Sequence, residues 1–260
     1  MEALESQLAE LGLAAAAEEI SALIGSATKG KATYEAFLAT VLSHEKVVRA
    51  ANRQAILTRL ARFPMIRTLE GFDFSFSPKL DAGLIRELAT LRFAKEHANV
   101  LLLGPPGVGK THLAVALGVE AVSAGMKTYF TTLEEMISRL MAGAPALLSR
   151  RMGRYLNCHL LIVDEVGYLP LSAAQAHLFF QVISSRYESG ATIITSNKPV
   201  VEWGEYMADP TLAAALLDRF LHHCHVVSIA GASYRLKGKM DLVNQAKSEK
   251  SGSPKRRSGS

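Results

Sequence analysis

Residues 101–111 read Leu-Leu-Leu-Gly-Pro-Pro-Gly-Val-Gly-Lys-Thr, and no other stretch leaves the chain so little freedom. The apolar run stops at a glycine-rich turn and restarts as a helix rich in Ala, Val and Leu, which is the G-x-x-x-x-G-K-T pattern of a phosphate-binding loop. Pro105 and Pro106 stiffen the entry and lack amide hydrogens, whereas the amides from Gly107 to Thr111 can curl around phosphate oxygens at a helix N-terminus. Lys110 is placed to reach the β- and γ-phosphates, and the Thr111 hydroxyl to ligate Mg²⁺. Gly104, Pro105, Pro106, Gly107, Val108, Gly109, Lys110, Thr111 and His112 therefore form the expected nucleotide cradle.

Downstream, helical patterns alternate with short apolar runs, the signature of a parallel sheet covered on both faces. Strands are predicted over residues 99–103, 127–131, 159–164, 191–195 and 225–229, with helices over 111–124, 133–142, 146–154, 173–188 and 212–221. The reading is an α/β P-loop domain with a five-stranded parallel sheet, over residues 67–239. A small α-helical domain over 1–66 precedes it, and a basic, disordered tail over 240–260 follows. Within the first domain one helix is predicted over 2–24, broken by Gly25 to Gly30, and a second over 34–62 with Thr33 as its N-cap. A further helix is predicted over 79–93.

The third strand ends Leu160-Leu161-Ile162-Val163-Asp164-Glu165, delivering two carboxylates to the carboxyl edge of the sheet, where ligands bind in such folds. Asp164 suits Mg²⁺ binding, and Glu165 suits orienting or deprotonating an attacking water. The second carboxylate favours hydrolysis over phosphorylation of a small molecule. A kinase would also need an acceptor pocket and a mobile lid, and no segment supplies either. Asn197, at the tip of the next strand, could position the water or simply cap the strand end. Phe72, Phe74 and Phe76, just upstream of the loop, could wall an adenine site or plug the domain edge. Arg219 could pair with Asp218, stand as a surface cation favoured by the helix dipole, or neutralise transition-state charge in a neighbouring subunit. In His222-His223-Cys224-His225, adjacent strand residues would point to opposite faces, so a strand start with buried Cys224 and Val226 is expected rather than a zinc site.

Two cysteines in 260 residues give no disulfide framework, and no apolar run reaches membrane-spanning length, so a cytoplasmic protein without membrane contact is expected. Charge is uneven. Residues 1–30 carry one Lys against five Glu, 31–67 seven basic against two acidic residues, 68–234 thirteen against fifteen, and 235–260 eight against two. Basic flanks around a near-neutral nucleotide domain fit a polyanion partner, although solvated basic helices look the same in sequence. Three basic surfaces stand out: Lys46, Arg49 and Arg53 on one helix face, Arg139, Arg150, Arg151 and Arg154 between the second and third strands, and Lys255, Arg256 and Arg257 in the tail.

The segments GPPGVGKTHLAVALG, LLIVDEVGYLPL, ITSNKPVVEWGE and ADPTLAAALLDRFLHHCHVVSIAGASYRLK closely resemble the IstB helper ATPases of insertion sequences, relatives of the DnaC helicase loader. The resemblance extends to about Lys239. It implies an AAA+ ATPase, using ATP and Mg²⁺, that assembles as a homo-oligomer on double-stranded DNA without sequence preference and cooperates with a transposase; loading of a replicative helicase is the alternative. It also implies that Arg219 is an arginine finger. Only about thirty residues follow the fifth strand, too few for the helical lid usual in AAA+ proteins, so no separate C-terminal lid domain is expected and Arg235 is the candidate sensor arginine.

Overall fold

The computed structural model describes residues 2–231, 233 and 234, and the chain divides into two compact units, Met1–Arg59 and Leu60–Ser260. Arg235 and the tail arginines and lysine lie outside the described residues, as do the expectations of a missing lid and a disordered tail.

The first unit holds α1 (Glu2–Glu10), α2 (Ala14–Lys29) and most of α3 (Tyr34–Ala61). The single helix predicted over 2–24 is two, because Gly12 takes a left-handed conformation (φ 74°) and ends α1 there. The amide of Leu13 reaches back to the carbonyl of Leu8 at 2.8 Å, and Leu8 and Leu13 both pack against the small core of Ala16, Ile20 and Val41, which is how a Schellman ending is reinforced. Gly25, expected as a break, lies inside α2, which closes only at Gly30. Thr33 caps α3, its Oγ1 accepting the Ala36 amide at 3.2 Å. One buried carboxylate ties these helices together. Glu45 on α3 accepts the Ala16 amide in the first turn of α2 at 2.9 Å, and its other oxygen is held by Arg49 at 2.7 Å. Arg49 also donates to the Gly12 carbonyl at 2.5 Å, so this member of the basic ridge is committed to the end of α1.

In the second unit the strands are β1 (Asn99–Leu103), β2 (Thr128–Thr132), β3 (Leu160–Val166), β4 (Ala191–Ser196) and β5 (Cys224–Ser228), all parallel and ordered β2-β3-β4-β1-β5. Alternation along β1 sends Leu101 to one face and Val100 and Leu102 to the other. The first face is covered by α7 (Leu133–Met141), α8 (Leu148–Leu156), α9 (Ala173–Arg186), the short α10 (Trp203–Tyr206) and α11 (Pro210–His222); the second by α4 (Ala82–Ala89), α5 (Arg92–Lys95) and α6 (Lys110–Ser123). The helix predicted over 79–93 is thus α4 and α5, with Asp81 capping the first and Leu91 forced to φ 61° between them. The expected pair of buried Cys224 and Val226 is corrected as well. β5 is an edge strand, so Cys224 is half-buried, Val226 is 49% exposed, and Val227 and Ile229 fill the other face.

Sheet edges opposite the phosphate loop are pinned by two polar side chains that sequence periodicity does not mark. Asn99 joins three elements at the start of β1, donating to the Phe220 carbonyl on α11 at 2.9 Å and accepting the Thr192 amide on β4 at 3.0 Å. Arg186, 2% exposed at the end of α9, donates to the carbonyls of Tyr155, Cys158 and Ala191 and to the Thr192 hydroxyl, at 2.5–3.0 Å. Burial pushes its pKa down, yet a guanidinium with this many acceptors stays charged. The arginine acts as a staple between the entries to β3 and β4.

Candidate active site

The phosphate loop leaves the carboxyl end of β1 at Gly104 and enters α6 at Lys110. Gly109 is required at the turn: its φ is 99°, and a Cβ there would lie 2.6 Å from the Phe72 ring. Phe72 thereby covers the loop from outside, with its edge against Phe74 and the His112 ring, while His112 Nε2 meets the Thr68 carbonyl at 2.8 Å. Phe72 and Phe74 also pack against the core under α6. On the other side, the Tyr234 amide donates to the Gly107 carbonyl at 2.9 Å, and the Tyr234 ring meets Phe76 edge-on at 5.1 Å. The segment after β5 and the linker before α4 thus flank one loop.

Lys110 is buried, its ammonium donating to the Gly104 and Pro105 carbonyls at 2.7 and 2.8 Å. Thr111 Oγ1 lies 3.0 Å from both Asp164 oxygens, which brings the first turn of α6 to the end of β3. β4 lies between β1 and β3 and closes the site from below. Register against β4 runs regularly to Val163↔Ile194 and resumes at Val166↔Ser196, so Asp164 and Glu165 together oppose the single residue Thr195. That one-residue bulge turns the backbone at Glu165 to φ 63° and presents its side chain to solvent, while Asp164 stays buried.

Thr195 is the residue sequence reasoning missed. Its hydroxyl, 1% exposed, donates to Asp164 Oδ1 and accepts the Glu165 amide at 3.1 Å, so one side chain holds both acids. Asn197, two residues on, has a buried Oδ1 with no hydrogen-bond partner among the described residues. A groove of about 520 Å³ opens beside Glu165, lined by Tyr168, Leu169, Met141 and Tyr206 among others, but by no residue of the phosphate loop.

A family model described as IstB-like ATP binding protein matches residues 6–241. The chain belongs to the IstB-like family. It is 43% identical over 240 residues to the insertion sequence IS21 putative ATP-binding protein of Pseudomonas aeruginosa, covering 92% of this chain and 91% of that one. Similarity to the insertion sequence IS5376 putative ATP-binding protein of Geobacillus stearothermophilus is 42% over 230 residues, 88% and 92% of the two chains. Among solved structures, DnaI aligns with a TM-score of 0.53 at 20% identity, over 66% of this chain and 93% of that one, which is a likeness of fold. This IstB-like chain is accordingly an ATP-binding protein and ATPase of that family, with an α/β P-loop fold. None of its described helices is long and apolar enough to cross a membrane.

Two further groups of predicted residues are basic. Arg219 is exposed near the end of α11, its guanidinium 5.2 Å from the centre of the Phe180 ring rather than paired with Asp218. The neighbouring Phe220 carbonyl is bound by Asn99 at the start of β1, so Arg219 belongs to the sheet edge opposite Gly104. The four arginines between β2 and β3 are not equivalent. Arg139 pairs with Glu135 at 2.5 Å, Arg151 donates to the Leu140 and Ala144 carbonyls at 3.2 and 3.1 Å, and Arg154 lies 6.0 Å from the Tyr129 ring centre. Arg150 is exposed.

Proposed function

We propose that this IstB-like ATPase binds Mg²⁺-ATP on residues 104–112, hydrolyses it with Glu165, and couples the cycle to assembly on double-stranded DNA in support of the transposase of an insertion sequence. The observation that carries the chemistry is the chain of contacts Thr111–Asp164–Thr195–Glu165 beside the loop. A hydroxyl and a carboxylate 3.0 Å apart are hard oxygen donors of the kind Mg²⁺ takes, so Thr111 and Asp164 are the residues that would hold it. Bound there, the ion would offset charge on the β- and γ-phosphates. Lys110 exchanges its loop carbonyls for phosphate oxygens, and the loop amides hold the remainder. Glu165, exposed at the bulge, takes the proton of the attacking water, and the unpartnered Asn197 oxygen accepts its second hydrogen. Arg219 sits at the far sheet edge from its own loop, which supports a role towards the phosphates of a neighbouring copy.

Partners follow from the relatives, which are named for insertion sequences, and from the basic flanks. The test is assembly and turnover on linear duplex DNA. Lys110→Ala should lose ATP binding and DNA-dependent assembly together. Glu165→Gln should bind ATP and form long-lived assemblies while turnover falls by about 10³-fold or more. Equal loss of ATP affinity in both variants would remove Glu165 from the chemistry. Nucleotide-independent DNA binding by the parent protein would remove the coupling.

A further inference from the structure

At the sheet edge away from the phosphate loop, the end of α9 and the junction of α11 with β5 converge. His222 is the last residue of α11 and His223 its C-cap, with φ −125° and ψ 79°. Neither is yet in the strand, so the alternation that would send them to opposite faces does not apply. Their rings instead stack edge-on with centroids 4.2 Å apart. Glu188, two residues beyond α9 and held at φ 56°, brings a carboxylate to the same place. One donor atom from each of Glu188, His222 and His223 lies within 4.8 Å of the other two, and all three side chains are exposed.

We propose that Glu188, His222 and His223 form a surface site for a borderline divalent cation of the Zn²⁺ class. Two imidazoles and one carboxylate are a donor set that Zn²⁺, Co²⁺ and Ni²⁺ favour over Mg²⁺ or Ca²⁺. A tetrahedral ion with bonds of about 2.1 Å needs donors about 3.4 Å apart, and exposed side chains reach that spacing by modest rotation about their side-chain bonds. A second observation supports the assignment. The Tyr187 hydroxyl lies 3.0 Å from His222 Nδ1, and its ring is tilted against the imidazole with centroids 5.9 Å apart. A hydroxyl accepting the Nδ1 proton leaves Nε2 with its lone pair outward, the outer-shell arrangement that orients a metal-binding histidine. Three protein donors leave one coordination position for water or for a group from another molecule. Because His222 lies three residues after Arg219 on α11, a bound cation would fix the helix end from which that arginine projects. The assignment itself does not depend on the ATPase reading.

The test uses the full chain, stripped of metal by chelation and free of nucleotide, titrated with Zn²⁺ by calorimetry and with Co²⁺ by visible absorption. One ion per chain with a micromolar or tighter Kd is expected, together with a rise in the thermal midpoint on adding Zn²⁺. His222→Gln, His223→Gln and Glu188→Gln should each weaken binding by at least about tenfold, whereas His225→Gln, outside the cluster, should bind as the parent does. Because the three side chains are exposed, folding of the variants is checked by circular dichroism and their midpoints without metal should match the parent. A parent Kd weaker than about 1 mM, an adventitious ion only, would overturn the proposal. Binding that survives His222→Gln and His223→Gln within tenfold would overturn it equally.

Discussion

Thr195 shows how much one hydroxyl can organise. It donates to the first carboxylate of the acidic pair and accepts the backbone amide of the next residue, where the bulge holds Glu165 in a conformation uncommon outside glycine. Valine has nearly the same shape and neither hydrogen bond. Thr195→Val should therefore lower kcat by about 10–100-fold, through misplacement of Asp164 and Glu165, while KM for ATP changes by less than about threefold. Thr195→Ser should restore most of the rate. Parental turnover in the Val variant, or a Ser variant as slow as Val, would leave Thr195 as packing alone. Lys110, Thr111 and Asp164 were legible because contiguous motifs mark them. Thr195 was not, since its role arises from pairing with a bulged strand about thirty residues away in sequence.

At the scale of elements, helix ends and strand faces decide what propensity leaves open. Gly12 and Gly25 are the same residue in similar surroundings, yet one ends a helix and the other lies inside one, because only near Gly12 do Leu8 and Leu13 meet across the turn over a shared core. The contact between α2 and α3 depends on Glu45, whose carboxyl is held below its usual 4.5 chiefly by the Ala16 amide, with Arg49 adding to it. A depressed carboxyl pKa contributes stability above the unfolded value, and that contribution fades as pH falls through the folded one. Acidification below about pH 4.5 should thus loosen α2 first, read as hydrogen exchange of residues 14–29 corrected for the intrinsic rate. In Glu45→Gln the same helix should exchange faster already at neutral pH and show little further acid dependence. An identical pH profile in parent and variant would contradict this role.

For the whole molecule, the separation of Arg219 from its own phosphate loop becomes a statement about assembly. Arg219→Ala subunits mixed with Glu165→Gln subunits should recover turnover that neither has alone, because an intact Glu165 can then face an intact arginine. No recovery in verified mixed assemblies would refute action between subunits. DNA contact divides the basic residues by what they already touch. Arg150 is exposed, whereas Arg139 and Arg151 are engaged by Glu135 and by main-chain carbonyls. Arg150→Ala should flatten the log–log salt dependence of DNA binding by about one unit and leave the fold intact; an unchanged slope would move the main contact to another basic segment, such as the tail. Strand content, the loop and the acidic pair were determined by the sequence alone, because a buried parallel strand needs an unbroken apolar run and a phosphate cradle needs glycine, lysine and threonine at fixed spacing. Which side chains meet across the sheet was decided only by the tertiary structure. Inserting β4 between β1 and β3 brings Thr195 under both acids, and ending α11 at His222 turns two histidines to one side near Glu188. Such meetings depend on strand order, register and helix length, and these are set by how whole elements pack rather than by the local pattern of any one segment.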